Sequence, residues 1–183
     1  MVLTSVAISA FSSACGLPKF YTLQKGVGHF SVALPPGYRV TMVEKREDSG
    51  YTDVRIDGPR NDRKNIYSAV DVFIITANKT YPNALNWLEW GLASVNDYPN
   101  FELLDRSKYR LGDITAEQYV YRHTSFADEC LPPKAARTRI ISREIVFDYE
   151  GKIWSIDLSY WENESRSYEA DFEYILQSLK ILK

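Results

Sequence analysis

Two histidines, His29 and His123, and two cysteines, Cys15 and Cys130, are the chain's whole stock of soft metal ligands and strong nucleophiles. A metal centre needs several such groups close together. The densest grouping is His123 with Asp128 and Glu129, so these three are the candidate metal ligands. Cys130 sits in Asp128-Glu129-Cys130-Leu131-Pro132-Pro133, a polar stretch broken by proline. A cysteine nucleophile needs a base and a group to orient that base. His123 lies upstream, beyond the expected end of a strand, so Cys130 reads as a passive loop thiol. Acid–base chemistry requires two carboxyl groups in unlike surroundings. The candidates are Asp148 with Glu150, or Asp157 on the polar face of its strand. Hairpin tips and outer strand faces are normally solvated, so these carboxylates read as surface groups.

A basic run, Lys134, Arg137, Arg139 and Arg143, is the candidate partner-binding feature. Spacings of two and four residues put Arg137, Arg139 and Arg143 on one face of a strand. Such a face suits an acidic partner or lipid headgroups, with Asp128, Glu129 and Glu144 offsetting part of its charge. Thirteen tyrosines form the other unusual supply. Tyr119, Tyr121, Tyr149, Tyr160, Tyr168 and Tyr174 fall at strand or helix positions. There they either fill a sheet core or line an aromatic pocket. The sequence holds no dinucleotide or phosphate-binding glycine loop, no Gly-x-Ser-x-Gly and no His-Glu-x-x-His. The expectation is a non-enzymatic protein with no cofactor.

The elements that carry these residues follow from apolar periodicity. Phe30, Val32 and Leu34 alternate in a strand that stops at Pro35-Pro36-Gly37. Residues 38–43 are a second extended segment, and 51–57 alternate with Val54 and Ile56 on one face. Residues 66–76 carry a nearly unbroken apolar run, as expected of a strand covered on both sides. Leu85, Leu88, Leu92 and Val95 give a helix over 83–97, with Trp87 and Trp90 widening its stripe. Two extended runs, 101–111 and 114–124, meet at Gly112-Asp113. Two more, 137–149 and 152–161, meet at Glu150-Gly151 in the strongest hairpin signal of the chain. Tyr168, Phe172, Ile175, Leu176 and Leu179 form the stripe of a last helix over 165–178. Helices are too few to alternate with the strands, so the fold class is α+β with a mostly antiparallel sheet.

The length of 183 residues suits one domain, and 22 basic against 24 acidic residues exclude nucleic-acid binding by bulk attraction. No apolar stretch is long enough to cross a bilayer. Residues 1–14 carry no charge, and Ser13-Ala14-Cys15 follows the pattern that ends a bacterial lipoprotein signal. On that reading 1–18 is a delivery segment and linker, and 19–183 is the domain. Cys15 is then the lipidated residue, and the protein is extracytoplasmic and held at the membrane by its anchor. The alternative is a cytoplasmic protein that retains Cys15, in which a Cys15–Cys130 bridge is possible. Residues 19–28 read as a lead-in segment.

Phe30-Ser31-Val32-Ala33-Leu34-Pro35-Pro36-Gly37-Tyr38 resembles the opening of PsbP-like domains. Phe147 to Ile156, followed by Asp171-Phe172-Glu173-Tyr174-Ile175-Leu176-Gln177-Ser178-Leu179-Lys180-Ile181, resembles their closing hairpin and helix. The resemblance covers about residues 28–183 and rests on structural rather than chemical motifs. It implies an α/β/α sandwich around a central antiparallel sheet. The superfamily includes extrinsic photosystem II subunits, exported bacterial lipoproteins of unassigned role, and a Ran-binding import factor. The resemblance therefore implies a binding or accessory module for a membrane-associated protein complex. The alternative is a small-molecule carrier with an aromatic pocket between sheet and helix.

Overall fold

The computed structural model describes residues 19–23, 28–46, 50–59, 68–124, 139–162 and 165–182. In chain order these form β1 (Lys19–Leu23), β2 (His29–Leu34), β3 (Arg39–Arg46), β4 (Tyr51–Asp57) and β5 (Ser68–Thr76). Then come α1 (Ala84–Val95), β6 (Glu102–Leu111), β7 (Ile114–Thr124), β8 (Arg139–Tyr149), β9 (Lys152–Trp161), α2 (Ser165–Ser178) and β10 (Lys180–Leu182). Every strand pairing among the described residues is antiparallel. The fold class is α+β, with a mostly antiparallel sheet and two helices, as the sequence predicts.

Seven strands make the main sheet in the order β3-β4-β5-β9-β8-β7-β6. β5 and β9 therefore sit well inside it, which accounts for the apolar run of β5. The β8–β9 turn places Glu150 at φ 49° and Gly151 at φ 70°. Two successive residues with positive φ make the turn that matches the twist of a tight hairpin. Both edge strands carry one extra residue against their neighbours, Thr41 in β3 and Leu104 in β6.

Period-two alternation gives the sheet two chemically different faces. On one face Val54, Ile56, Val70, Val72, Ile74, Trp154, Ile156 and Leu158 form a cluster, with Phe172, Ile175 and Leu176 of α2 packed on it. Leu23, Phe30, Val32 and Leu34 join this cluster from β1 and β2. The lead-in expectation for 19–28 thus needs correction: Lys19–Leu23 is a strand paired along β2, and β10 pairs on the other side of β2. Gly28 comes so close to this core that a Cβ there would meet Ile74 at 3.0 Å and Trp154 at 3.1 Å. On the opposite face Ala84 and Leu88 of α1 cover Ile75, Tyr119, Val146 and Ile153. α1 starts where Asn83 accepts a hydrogen bond from the Asn86 amide at 3.0 Å. Asp148 Oδ1 accepts another from the Ala84 amide at 2.9 Å.

Candidate functional site

Polar side chains accumulate on the α1 face of the sheet, and register explains how. Arg55 pairs with Asp71, Asp71 with Asp157, Asp157 with Glu144, and Glu144 with Tyr119. Three carboxylates on β5, β9 and β8 thus stand side by side in one row across the sheet. Like charges directly opposite each other on paired strands repel. One guanidinium meets the row from within the sheet face: Arg55 Nη1 lies 3.2 Å from Asp71 Oδ2, and its Nε is 3.2 Å from Asp57 Oδ1.

The middle carboxylate is the least satisfied. Asp157 Oδ2 accepts from Ser159 Oγ at 3.0 Å, while Oδ1 is sealed from solvent with no hydrogen-bond partner among the described residues. Glu144 accepts from Ser155 Oγ at 2.8 Å and from the Trp87 indole of α1. Burial pushes the Glu144 carboxyl up to about 7 and Asp71 to about 6, against the pull of Arg55. Asp157 is raised well above the usual carboxylate range, by burial first and then by its two acidic neighbours. The row therefore takes up protons at higher pH than ordinary carboxylates do.

A hydroxyl chain leads away from it. Ser159 Oγ lies 2.8 Å from Ser142 Oγ, and Ser142 in turn faces the Tyr121 hydroxyl. An opening of about 150 Å³ lined by Arg55, Ser68, Ala69, Ile140, Ser159, Tyr160 and Trp161 adjoins the row. Three carboxylates on successive strands spread over roughly 10 Å, a line rather than a cage. Among the described residues no group of three His, Cys, Asp or Glu is placed to hold a metal ion.

One flank of α1, where it meets β5, carries a different chemistry. Phe73 stacks on Trp87 at 4.9 Å, Tyr51 sits 4.5 Å from Phe73, and Tyr81 contacts both Trp87 and Trp90 at 5.0 and 5.3 Å. The series ends in solvent, where Trp90 is 50% exposed. Glu89 fastens α1 to the sheet by accepting from Tyr119 and Arg106, both at 2.7 Å.

A cleft of about 370 Å³ opens on the α2 side of the sheet, between the β6–β7 hairpin and the C-terminal end of α2. Tyr149 of β8 and Ile181 of β10 complete its walls.

The residues singled out in the sequence are placed as follows. Arg139 and Arg143 do share a strand face, but Arg143 is not offered to a partner. Its side chain is 12% exposed and bonds to Glu173 at 2.7 Å, Gln118 at 2.9 Å and Glu169 at 3.0 Å. The guanidinium also lies over the Tyr109 and Phe172 rings. The reason is that this face of β8 packs under α2, which supplies both glutamates. Arg139 is exposed, 3.7 Å from Glu162. His123 is buried, packed edge-on against Tyr98 and stacked on Tyr121, and burial pulls its imidazole below the ordinary histidine range. Lys134, Arg137, Asp128, Glu129, Cys130 and Cys15 lie outside the described residues.

Asp148 caps α1 rather than pairing with Glu150. Asp157 is on the polar strand face as expected, but that face is covered, which corrects its reading as a surface group. Asp71 goes unremarked in the sequence, and Glu144 figures there only as an offset to the basic run, whereas it faces α1 on the side of β8 opposite Arg143. Asp71 carried a usable signal, since a charge amid the apolar run 70–75 requires a partner if both faces are covered. Tyr119, Tyr121, Tyr160 and Tyr168 are buried, Tyr149 reaches the cleft, and Tyr174 is exposed.

No protein-family model matches the chain, and no curated protein matches it by sequence. Solved structures do. The cyanobacterial PsbP of Synechocystis aligns over 93% of this chain and 99% of its own, with TM-score 0.55 and 14% identity. LpqN of Mycobacterium tuberculosis, described as involved in cell envelope biogenesis, aligns over 90% and 91% at TM-score 0.56 and 12% identity. The Saccharomyces cerevisiae Ran-binding protein Mog1p aligns over 90% and 96% at TM-score 0.54 and 10% identity. The chain also spans about half (48%) of the length of a Bacteroides thetaiotaomicron protein, at TM-score 0.53 and 11% identity. At these identities the likeness is one of fold.

Proposed function

We propose that this chain is a non-enzymatic binding module that acts as an accessory to a membrane-associated protein complex. The observation that carries the reading is the aromatic shelf on α1, where a series of ring contacts runs from Tyr51 and Phe73 through Trp87 out to a half-exposed Trp90. Large aromatic side chains held rigid and left in water are the usual anchors of protein interfaces. The shelf moves the proposed contact surface away from Arg143, whose charge is matched within the molecule. Fold neighbours named for a binding role, such as the Ran-binding protein Mog1p, support the general class, although one fold hosts many functions.

The finer reading joins this module to an α/β/α sandwich of the PsbP-like type, in its exported lipoprotein branch. Lipidation at Cys15 anchors it on the extracytoplasmic side. The neighbour LpqN, named for cell envelope biogenesis, and the uncharged residues 1–14 support that location. No helix among the described residues is long and apolar enough to cross a membrane. Cross-linking mass spectrometry on native membranes tests the module: links should run from α1 to another protein and vanish in Trp90→Ser. Links that never leave the chain overturn it. Mass spectrometry of the native N-terminus tests the anchor, and an unmodified Met1 with a free Cys15 refutes it.

A second reading, small-molecule carriage, is favoured by the cleft between α2 and the sheet.

A further inference from the structure

The cleft at the end of α2 is walled by side chains that a closed core would have covered. Tyr109, Leu111 and Ile114 come from the β6–β7 hairpin, and Tyr149, Leu179 and Ile181 from the elements facing it. All six pack against the main core cluster yet remain only partly buried. Apolar surface left in water forgoes about 25 cal/mol per Å², so six such residues around one opening favour an apolar occupant. The space of about 370 Å³ is at the lower end of the range for small-molecule sites. At about 30 Å³ per heavy atom, the share of one water in the liquid, it accommodates on the order of twelve such atoms.

The rim supplies the polar specificity. Arg110 donates from Nε to the Gly112 carbonyl at 3.1 Å, which anchors its guanidinium beside the turn. Among the described residues its terminal nitrogens bond to no other group, and they form a planar fork suited to a carboxylate. Asp113 and Gln177 share the rim. Asp113 has no anchoring bond among the described residues and stands exposed at the turn, free to rotate into water. The preorganised charge is thus the positive one.

We propose that this cleft binds a small amphiphile with a single apolar chain and an anionic head, the chain lying between α2 and the β6–β7 hairpin and the head on Arg110. The proposal rests on the small-molecule reading and adds the ligand's chemical class.

Calorimetric titration of the full chain with octanoate, 1-octanol and octylammonium tests it. Octanoate should bind at least about threefold more tightly than octanol, the modest gain of a partly solvated charge-assisted bond. Octylammonium should bind more weakly than both. Arg110→Gln should erase the octanoate advantage and leave octanol unchanged, whereas Ile114→Trp should fill the cleft and abolish all three. Amide chemical shifts of the unaltered protein should move at residues 109–114 and 176–181, a readout that does not depend on either variant folding. Equal binding of the three heads, or an octanoate advantage that survives Arg110→Gln, overturns the anionic class and leaves the small-molecule reading standing. No heat and no shift at the cleft with any of the three overturns both.

Discussion

The two faces of the main sheet bury charge in opposite ways. Under α2, one guanidinium, Arg143, meets two glutamates from the helix, an amide from β7 and two aromatic rings. Tyr109 and Tyr160 then donate to the remaining oxygens of those glutamates, at 2.7 and 2.8 Å. Under α1, three carboxylates share one row, and one oxygen of the middle member has no partner among the described residues. The first arrangement is a closed network whose charge is satisfied by geometry. The second gathers like charges that burial pushes toward the protonated form. A closed network fails when a member is removed, whereas such a row responds to pH.

The largest expected effect breaks the α2 face. Phe172 is fully buried and supports both the core and Arg143, so Phe172→Ala should lower stability by about 3–5 kcal/mol, read as a fall in the urea midpoint. Next, Arg143→Met should cost about 2 kcal/mol. Breaking a fully buried pair costs about 3–5 kcal/mol, and the figure is reduced here because Glu169 and Glu173 are 39% and 36% exposed. The loss should be nearly the same at pH 5 and pH 8, and a strong pH dependence would erase the contrast between the faces.

The α1 face should behave in the reverse manner. The carboxyls of Asp71, Asp157 and Glu144 are raised in the folded state, so between the ordinary carboxylate range and about 7 the folded chain holds more protons than the unfolded one. Their contribution is fully present below the ordinary range and is lost as pH rises through about 6 and about 7. Unfolding at pH 5 should therefore need more urea than at pH 8. Asp157→Asn should raise stability at pH 8, because the raised carboxyl no longer has to ionise in the folded state, and should flatten the profile. An unaltered profile would mean that the row does not titrate in this range. The smallest effect on stability belongs to the surface of α1. Trp90→Ser should lower stability by only about 1 kcal/mol, the loss of its ring contacts with Tyr81 and Trp87, while removing the cross-links to a partner.

The legibility of these regions in the sequence differed for the same physical reason. Periodicity reads which residues share a face, so the helices at 84–95 and 165–178, the Glu150-Gly151 hairpin and the Arg139–Arg143 alignment were all visible. It does not read what covers a face. Arg143 looked free because the glutamates that claim it lie on α2, more than twenty residues away in sequence. Asp157 looked solvated for the same reason, and its neighbours Asp71 and Glu144 come from two other strands, so their row exists only in the register. The strand at 19–23 was missed because its pairing depends on β2 beyond an intervening segment. The cleft likewise joins a hairpin to a helix end distant in sequence.

The extra residues in β3 and β6 have a consequence for self-association. Among the described residues the seven-stranded sheet has two edges with no further strand paired to them, and unpaired edges are the ordinary templates for end-to-end growth into fibres. Here Thr41 interrupts the pairing rhythm of one edge and Leu104 that of the other, so a second sheet docking alongside finds its hydrogen-bond ladder out of step within a few residues. The exposed Met42 and Val43 beside one irregularity, and Leu103 and Leu104 at the other, can then stay in water with less risk of zippering. A chain guarded at both sheet margins can be crowded at high local density with copies of itself and still remain individually folded units.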